Sequence, residues 1–139
     1  MNTVTLLIEA DAPFRRALIE ALLSCDPTIH IKQAYDRIQA QKIIHEHQPQ
    51  WIIMDLDVLG AEGFELTYKA VHLNPKSHVV MLSPCIALEL LIAAAHVGAM
   101  SFMLKGPQSI EEIVGLMKDV NSWRPGPLRE DNLPSGRLF

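Results

Sequence analysis

Residues 48–57, with the sequence QPQWIIMDLD, place four consecutive apolar side chains directly before an Asp-Leu-Asp segment. A short, continuous apolar run of this kind is typical of a strand that is buried on both faces of a sheet. Residues 79–82, VVML, have the same texture, and shorter or mixed apolar runs lie at 4–8, 29–31 and 102–104. The chain therefore predicts five short strands.

Stretches with helical periodicity separate these runs. In the first stretch, apolar residues recur at helical spacing: Phe14, Ala17, Leu18, Ala21 and Leu22. In the last stretch, Ser109 is followed three residues later by Glu112, a capping-box pattern that predicts a helix beginning at this serine. Strands that alternate with helices indicate an α/β fold, in which helices cover both faces of a parallel sheet.

The order of the strands follows from their texture. Residues 28–32, TIHIK, alternate between polar and apolar side chains, which predicts a strand at an edge of the sheet. Five strands with the second at an edge favour the doubly wound order 2-1-3-4-5. In such sheets ligands bind beyond the carboxyl ends of the strands, near strands 1 and 3.

The composition limits the number of domains. The chain has 139 residues, which is enough for one domain, and 49% of them are hydrophobic, which is enough for a buried core. We assign residues 1–122 to this domain. Residues 123–139 contain several prolines and glycines without apolar periodicity, and they predict a linker or a C-terminal tail.

Charge and hydropathy limit the class of partner. The net charge is −4 and the longest basic run is Arg15-Arg16, so we expect no nucleic acid to bind this segment. The longest apolar stretch, residues 90–97, is far shorter than the ~20 residues that span a membrane. No signal-peptide pattern opens the chain, and Cys25 and Cys85 form no metal-ligand pattern. We expect a cytoplasmic protein.

Polar residues follow the predicted strands at their carboxyl ends. Because these ends share one edge of a parallel sheet, we expect residues from distant parts of the sequence to converge there: Glu9, Asp11, Asp55, Asp57, Ser83 and Lys105. Carboxylates are ligands that suit Mg²⁺, and a carboxylate can also attack phosphorus to form an aspartyl phosphate. The lysine and the hydroxyl would stabilise charge on the transferred phosphoryl group.

Several segments resemble the receiver domain of two-component response regulators, over nearly the whole of residues 3–122. Residues 48–57 resemble the P-D-hydrophobic-D-L segment of that family, and residues 58–63, VLGAEG, resemble its M-P-G-x-D-G turn. Residues 97–105, VGAMSFMLK, resemble its A-G-A-x-G-Y-L-L-K segment. The resemblance implies a flavodoxin-like receiver fold and a phosphoryl group received from a histidine kinase or a phosphotransfer protein.

The resemblance also implies the roles of the site residues. Asp55 is the phosphoacceptor, and Asp11 and Asp55 are direct ligands of Mg²⁺. Asp57 offers its backbone carbonyl to the metal and its amide to the phosphate.

A second group of residues is implied as the switch. Ser83 and Lys105 sense the phosphoryl group, and Phe102 takes the position of the aromatic switch residue. The responding surface consists of the helix predicted over residues 86–97, the last strand and the last helix. Because residues 86–97 are apolar on nearly all sides, we expect this surface to form a homodimer.

Some residues depart from the family pattern. Ala10 stands where the family usually has the first of two adjacent acids, and Glu9 is a doubtful substitute because it lies one residue deeper in a strand of alternating faces. Leu59 replaces the proline of the turn. Pro84 stands where a backbone N–H normally donates to the phosphoryl group, and proline has no N–H.

Two other interpretations stay open from the residues. A receiver with these departures would act as a docking module that works without phosphorylation. Residues 54–57 also resemble the first motif of haloacid-dehalogenase-type phosphatases, but those enzymes place it on their first strand and need an acidic pair after the lysine. We expect a phosphoacceptor signalling domain rather than an enzyme, with any DNA-binding output domain outside this chain.

Overall fold

The computed structural model describes residues 3–122, which form a parallel sheet with helices on both faces. The strands are β1 Val4–Ile8, β2 His30–Ala34, β3 Trp51–Asp55, β4 His78–Ser83 and β5 Ser101–Leu104. The helices are α1 Ala12–Cys25, α2 Arg37–His47, α3 Leu56–Leu59, α4 Glu62–Leu73, α5 Leu88–Val97 and α6 Pro107–Ser122. The tail predicted over residues 123–139 lies outside the described residues, so the domain boundary stays a prediction.

The sheet has the strand order β2-β1-β3-β4-β5, with every neighbouring pair parallel. This confirms the predicted doubly wound, flavodoxin-like fold. In the register, Asp55 lies opposite Leu82 of β4, and Ser83 lies opposite Leu104 of β5. The residues that follow β1, β3, β4 and β5 therefore meet at one edge of the sheet.

Strand residues alternate between two core layers. One layer lies under α2, α4 and α5 and includes Ile52, Met54 and Phe102. The other lies under α1 and α6 and includes Leu7, Ile53 and Met103. Successive side chains of a strand point to opposite faces of the sheet. Two residues of one strand therefore face the same helices when an even number of positions separates them, which we call the same parity.

Strand β2 begins two residues later than predicted. The Asp26 carboxylate accepts hydrogen bonds from the Thr28 amide and from the Thr28 hydroxyl, at 3.0 and 2.6 Å. These bonds hold Thr28 in a turn, so the strand starts only at His30. The predicted edge position of this strand is confirmed.

The capping box predicted at Ser109 is wrong. Helix α6 begins at Pro107, so Ser109 already lies in its first turn. The Ser109 hydroxyl instead donates to the Gly106 carbonyl at 2.6 Å and accepts from the Gly106 amide at 3.2 Å. Proline is favoured at the first position of a helix because that position needs no N–H, which explains the earlier start.

Helix α3 is a single short turn that the sequence analysis did not predict. The predicted helix over residues 86–97 corresponds to α5, and the predicted last helix corresponds to α6. Within residues 3–122, no helix has the length and apolar character needed to cross a membrane.

Two glycines provide a matched test of backbone conformation. Gly98 ends α5 at φ +95°, so Gly98→Ala should lower the free energy of unfolding by about 1–2 kcal/mol. Gly115 lies within α6, where a Cβ would meet no atom within 4 Å. Gly115→Ala should therefore raise the free energy of unfolding by roughly 0.5–1 kcal/mol. Urea unfolding of both variants measures the two effects, and a change of the same sign in both would contradict this account.

Candidate functional site

Two buried carboxylates lie at the carboxyl edge of the sheet. Glu9 directly follows β1 and is 0% exposed, and Asp55 is the last residue of β3 and is 3% exposed. Glu9 has the parity of Leu7, and Asp55 has the parity of Ile53, so both face the layer formed by α1 and α6. The sheet therefore brings together two acids that are 46 positions apart along the sequence.

The ammonium group of Lys105 bridges these two carboxylates. Its Nζ donates to Glu9 Oε2 at 3.0 Å and to Asp55 Oδ2 at 2.9 Å. Glu9 Oε1 lies 2.8 Å from the same Nζ, but that contact lacks hydrogen-bond geometry. One partly buried cation therefore contacts two buried acidic side chains that lie at the carboxyl ends of different strands.

Backbone amides hold the carboxylates in place. The Asp57 amide donates to Asp55 Oδ1 at 3.0 Å, which makes Asp55 the N-cap of α3. The Asp11 amide donates to Glu9 Oε2 at 3.1 Å. The Lys105 amide donates to the Ser83 carbonyl at 2.8 Å, so the start of the loop after β5 is fixed to the end of β4.

Burial and the ion pairs shift the pKa values of this cluster. Burial raises the pKa of Glu9 above its ordinary value, and the hydrogen bonds from Lys105 and from the Asp11 amide offset this only in part. For Lys105, desolvation lowers the pKa, but the hydrogen bonds to Glu9 and Asp55 outweigh it, so the pKa lies above its ordinary value. Lys105 is therefore firmly protonated in the folded protein.

Ser83 lies beside the cluster but bonds elsewhere. It is buried at the end of β4, where its hydroxyl donates to the Cys85 carbonyl at 2.7 Å and accepts from the Cys85 amide at 3.3 Å. The parity of β4 directs Ser83 toward the layer opposite to that of Asp55. Pro84, which lies between Ser83 and Cys85 in the sequence, is exposed and has no N–H to donate at this edge.

The predicted magnesium ligands are only partly brought together. Asp55 lies in the cluster, whereas Asp11 is exposed at the N-cap of α1 and its carboxylate makes no capping hydrogen bond. Asp57 is also exposed, and its amide bonds to Asp55. Within residues 3–122, no three acidic, histidine or cysteine side chains are grouped closely enough to hold a metal ion.

Mg²⁺ requires hard oxygen ligands with room for bound water. The two buried carboxylates supply the oxygens, but both already contact the Lys105 ammonium, and Ala10 supplies none. The arrangement in residues 3–122 therefore does not fit a magnesium site. The assignment of Asp11, Asp55 and Asp57 to a bound metal stays a prediction.

The predicted switch aromatic is a buried core residue. Phe102 is 2% exposed and packs in the layer under α2, α4 and α5. The ring near the charged cluster belongs to Phe14 of α1, whose centroid lies 5.0 Å from Lys105 Nζ. At this distance the ring face attracts the ammonium and also shields it from water.

The sequence analysis missed Phe14 and Arg15 as site residues. Arg15 Nη1 donates to the carbonyl oxygens of Glu9 and Ala10, at 3.2 and 3.4 Å, and its guanidinium lies over the ring of Tyr35. These contacts tie the loop after β1 to α1. The available signal was helical position, because both residues lie in the first turn of a helix that starts at the site.

Glu9 gives the folded protein a pH dependence whose sign follows from its raised pKa. The folded state holds this proton more tightly than the unfolded chain does. The contribution of Glu9 to stability is therefore fully present below the ordinary carboxyl pKa and is lost as the pH rises through the raised pKa. Urea unfolding of Glu9→Gln across this range should lack that loss.

Glu65 provides the control for this experiment, since the hydrogen bond from Lys69 lowers its pKa and gives it the opposite sign. Glu65→Gln should therefore retain the loss of stability at rising pH. A Glu9→Gln profile that matches the wild-type profile would contradict the assignment to Glu9.

Comparison with known proteins identifies relatives of this chain. The chemotaxis protein CheY of Bacillus subtilis is 24% identical over 116 residues, which cover 84% of this chain and 97% of that protein. A protein-glutamate methylesterase/protein-glutamine glutaminase of Rhizobium etli is 32% identical over 96 residues, or 67% of this chain. The match spans only 27% of that protein's length.

The fold has close counterparts among solved structures. A response regulator from Burkholderia pseudomallei, solved with a phosphorylated aspartic acid and a calcium ion, superposes with a TM-score of 0.71 at 21% identity. The superposition covers 82% of this chain and 65% of that one. The family description of the response regulator receiver domain matches residues 6–118. This chain therefore belongs to the response regulator receiver domain family.

Proposed function

We propose that this receiver domain acts in two-component signalling and accepts a phosphoryl group on Asp55. The observation that carries the proposal is the contact of 2.9 Å between Asp55 Oδ2 and Lys105 Nζ at the carboxyl edge of the sheet. The proposed donor is the phosphohistidine of a histidine kinase or of a phosphotransfer protein. Such a donor implies a cytoplasmic setting, which is part of the proposal.

The proposed chemistry uses the carboxylate as a nucleophile. A carboxylate oxygen of Asp55 forms a bond to phosphorus while the phosphorus–nitrogen bond of the donor breaks, and the imidazole nitrogen keeps the electron pair. Lys105 neutralises negative charge on the transferred group, and the Asp57 amide fixes the second carboxylate oxygen. These residues hold and orient the reacting group without a further base.

The proposed switch starts from Ser83 and Lys105. The Ser83 hydroxyl is held by Cys85, so its contact with a phosphoryl group requires it to leave this turn. The Lys105 amide on the Ser83 carbonyl links that movement to the end of β5. Phe102, in the same strand, packs under α5 and is proposed to transmit the change.

The proposed output surface is apolar. The α5–β5 surface, as we name it, carries four large exposed apolar residues: Ile86, Leu88, Ile92 and Leu104. Exposed apolar surface often marks a site of protein association, and we propose that a second copy of the chain binds there, with α6 at its border. A DNA-binding output domain is proposed to lie outside this chain.

A second candidate is a docking module that works without phosphorylation. Two observations favour it: Pro84 offers no N–H to a phosphoryl group, and Lys105 already pairs with two carboxylates. In this alternative the α5–β5 surface binds its partner in the state described here. The family match over residues 6–118 supports a receiver domain and argues against the haloacid-dehalogenase-type phosphatases.

Asp55→Asn should abolish phosphoryl incorporation, because an amide is a poor nucleophile. Asp57→Asn should retain most of it, because Asp57 contacts the site through its backbone amide. The measurement is the intact mass of each protein after treatment with acetyl phosphate, with and without Mg²⁺. Equal loss in both variants would exclude Asp55 as the nucleophile, and an unmodified wild-type protein would favour the docking module.

Ile92→Glu should shift the chain toward the monomer without unfolding it, since Ile92 is 59% exposed on the α5–β5 surface. The matched control is Ile38→Glu, because Ile38 is 75% exposed but lies on α2, away from that surface. Sedimentation velocity over a range of concentrations should show self-association for the wild type and the control only. A wild-type monomer at high concentration would remove the proposed dimer.

A further inference from the structure

The charged cluster has an unusual balance of charge. It contains two buried acidic side chains, Glu9 and Asp55, but only a single ammonium, Lys105. All three contacts between Nζ and the carboxylate oxygens are between 2.8 and 3.0 Å. Among residues 3–122 no third acid joins them, since Ala10 has only a methyl group and Asp11 is exposed.

We infer that Lys105 is the built-in cation of this site and pairs with Glu9 and Asp55 in place of a divalent metal. The site is then ordered without metal, and Mg²⁺ binds to it weakly. The inference concerns the same edge as the proposed phosphoacceptor, but it does not require that Asp55 becomes phosphorylated.

The contacts of Lys105 make its displacement costly. Its side chain is 15% exposed, and Phe14 covers it at 5.0 Å. If a metal took over the two carboxylates, a mostly buried ammonium would lose both of its anionic partners, and an unpaired buried charge is strongly destabilising. Removing bound water from Mg²⁺ is also costly. Two carboxylates that already contact an ammonium group compensate poorly for that cost.

The backbone keeps Asp11 from supplying the third carboxylate. Its amide donates to Glu9 Oε2, and its carbonyl accepts from the Arg15 amide at 2.9 Å in the first turn of α1. Arg15 also clamps the carbonyls of Glu9 and Ala10. The loop after β1 is therefore fixed with the Asp11 side chain on the exposed side.

The first experiment is a calorimetric titration of the protein with MgCl₂. Ala10→Asp adds the missing acid at an exposed position, and Ala17→Asp adds the same acid on an exposed position of α1 outside the site. We expect Ala10→Asp to bind Mg²⁺ about tenfold or more tightly than the wild type, and Ala17→Asp to match the wild type. Equal affinity in the wild type and Ala10→Asp would overturn the inference. A loss of wild-type affinity in Asp11→Asn would overturn it too, because Asp11 would then turn inward.

The second experiment measures thermal unfolding with and without Mg²⁺. In Lys105→Met the two carboxylates lose their cation, so we expect a lower Tm that Mg²⁺ raises, whereas the Tm of the wild type should not respond. An equal Mg²⁺-dependent rise in both proteins would overturn the inference. If Lys105→Met does not fold, the titration of Ala10→Asp still decides. Neither measurement uses a phosphoryl donor, so failure here is distinct from failure of Asp55 as phosphoacceptor.

Discussion

The ion pairs of Lys105 are the constraint on which the carboxyl edge of this domain depends. Glu9 and Asp55 are buried at the ends of β1 and β3, and two buried carboxylates repel each other unless a cation lies between them. Lys105 supplies that cation from the far side of β4, so one side chain joins three segments of the sheet. The positions of the Asp11 and Asp57 amides follow from the same two carboxylates.

The topology makes this arrangement possible. Because the strands are parallel and β1 lies beside β3, their ends bring Glu9 next to Asp55, while β4 and β5 bring Ser83 and Lys105 to the same edge. Parity then divides these residues between the two faces. Glu9 and Asp55 share the face under α1 and α6, and Ser83 belongs to the opposite one. A phosphoryl group on Asp55 would therefore contact Ser83 only after the turn formed by Ser83 and Cys85 rearranges.

Much of the fold could be predicted from the pattern of apolar and polar residues, whereas the details of the site could not. Continuous apolar runs identified the central strands, and the alternating run identified the edge, which together determine the order of the sheet. The start of β2 depends on hydrogen bonds within the turn at Asp26, and the start of α6 depends on Pro107. The pattern of apolar residues carries little information about such local hydrogen bonds, so it does not predict where these elements begin.

The acid that shares Lys105 with Asp55 was also hard to identify from a pattern. Glu9 had been a doubtful candidate because it lies deeper in its strand, but the alternation of the strand directs it to the same face as Asp55. The family resemblance favours Asp11 as a metal ligand, and the structure places it at the exposed N-cap of α1. Counting alternate residues forward from Leu7 places Glu9 on the same face of the sheet, whereas the bridge to Lys105 requires knowledge of the distance across the sheet.

The division of each strand between two core layers has a consequence for how this sequence can change over evolutionary time. Phe102 and Met103 are adjacent, yet they pack in separate layers that meet only through the backbone of the sheet. Substitutions in contact with each other influence each other's energetic effects, whereas distant ones act independently. Replacement of Phe102 should therefore restrict which residues are tolerated at neighbours such as Met81, but should leave the choices at Met103 nearly free. Substitutions can thus accumulate in one layer without limiting those in the other, even though strands contribute side chains to both layers.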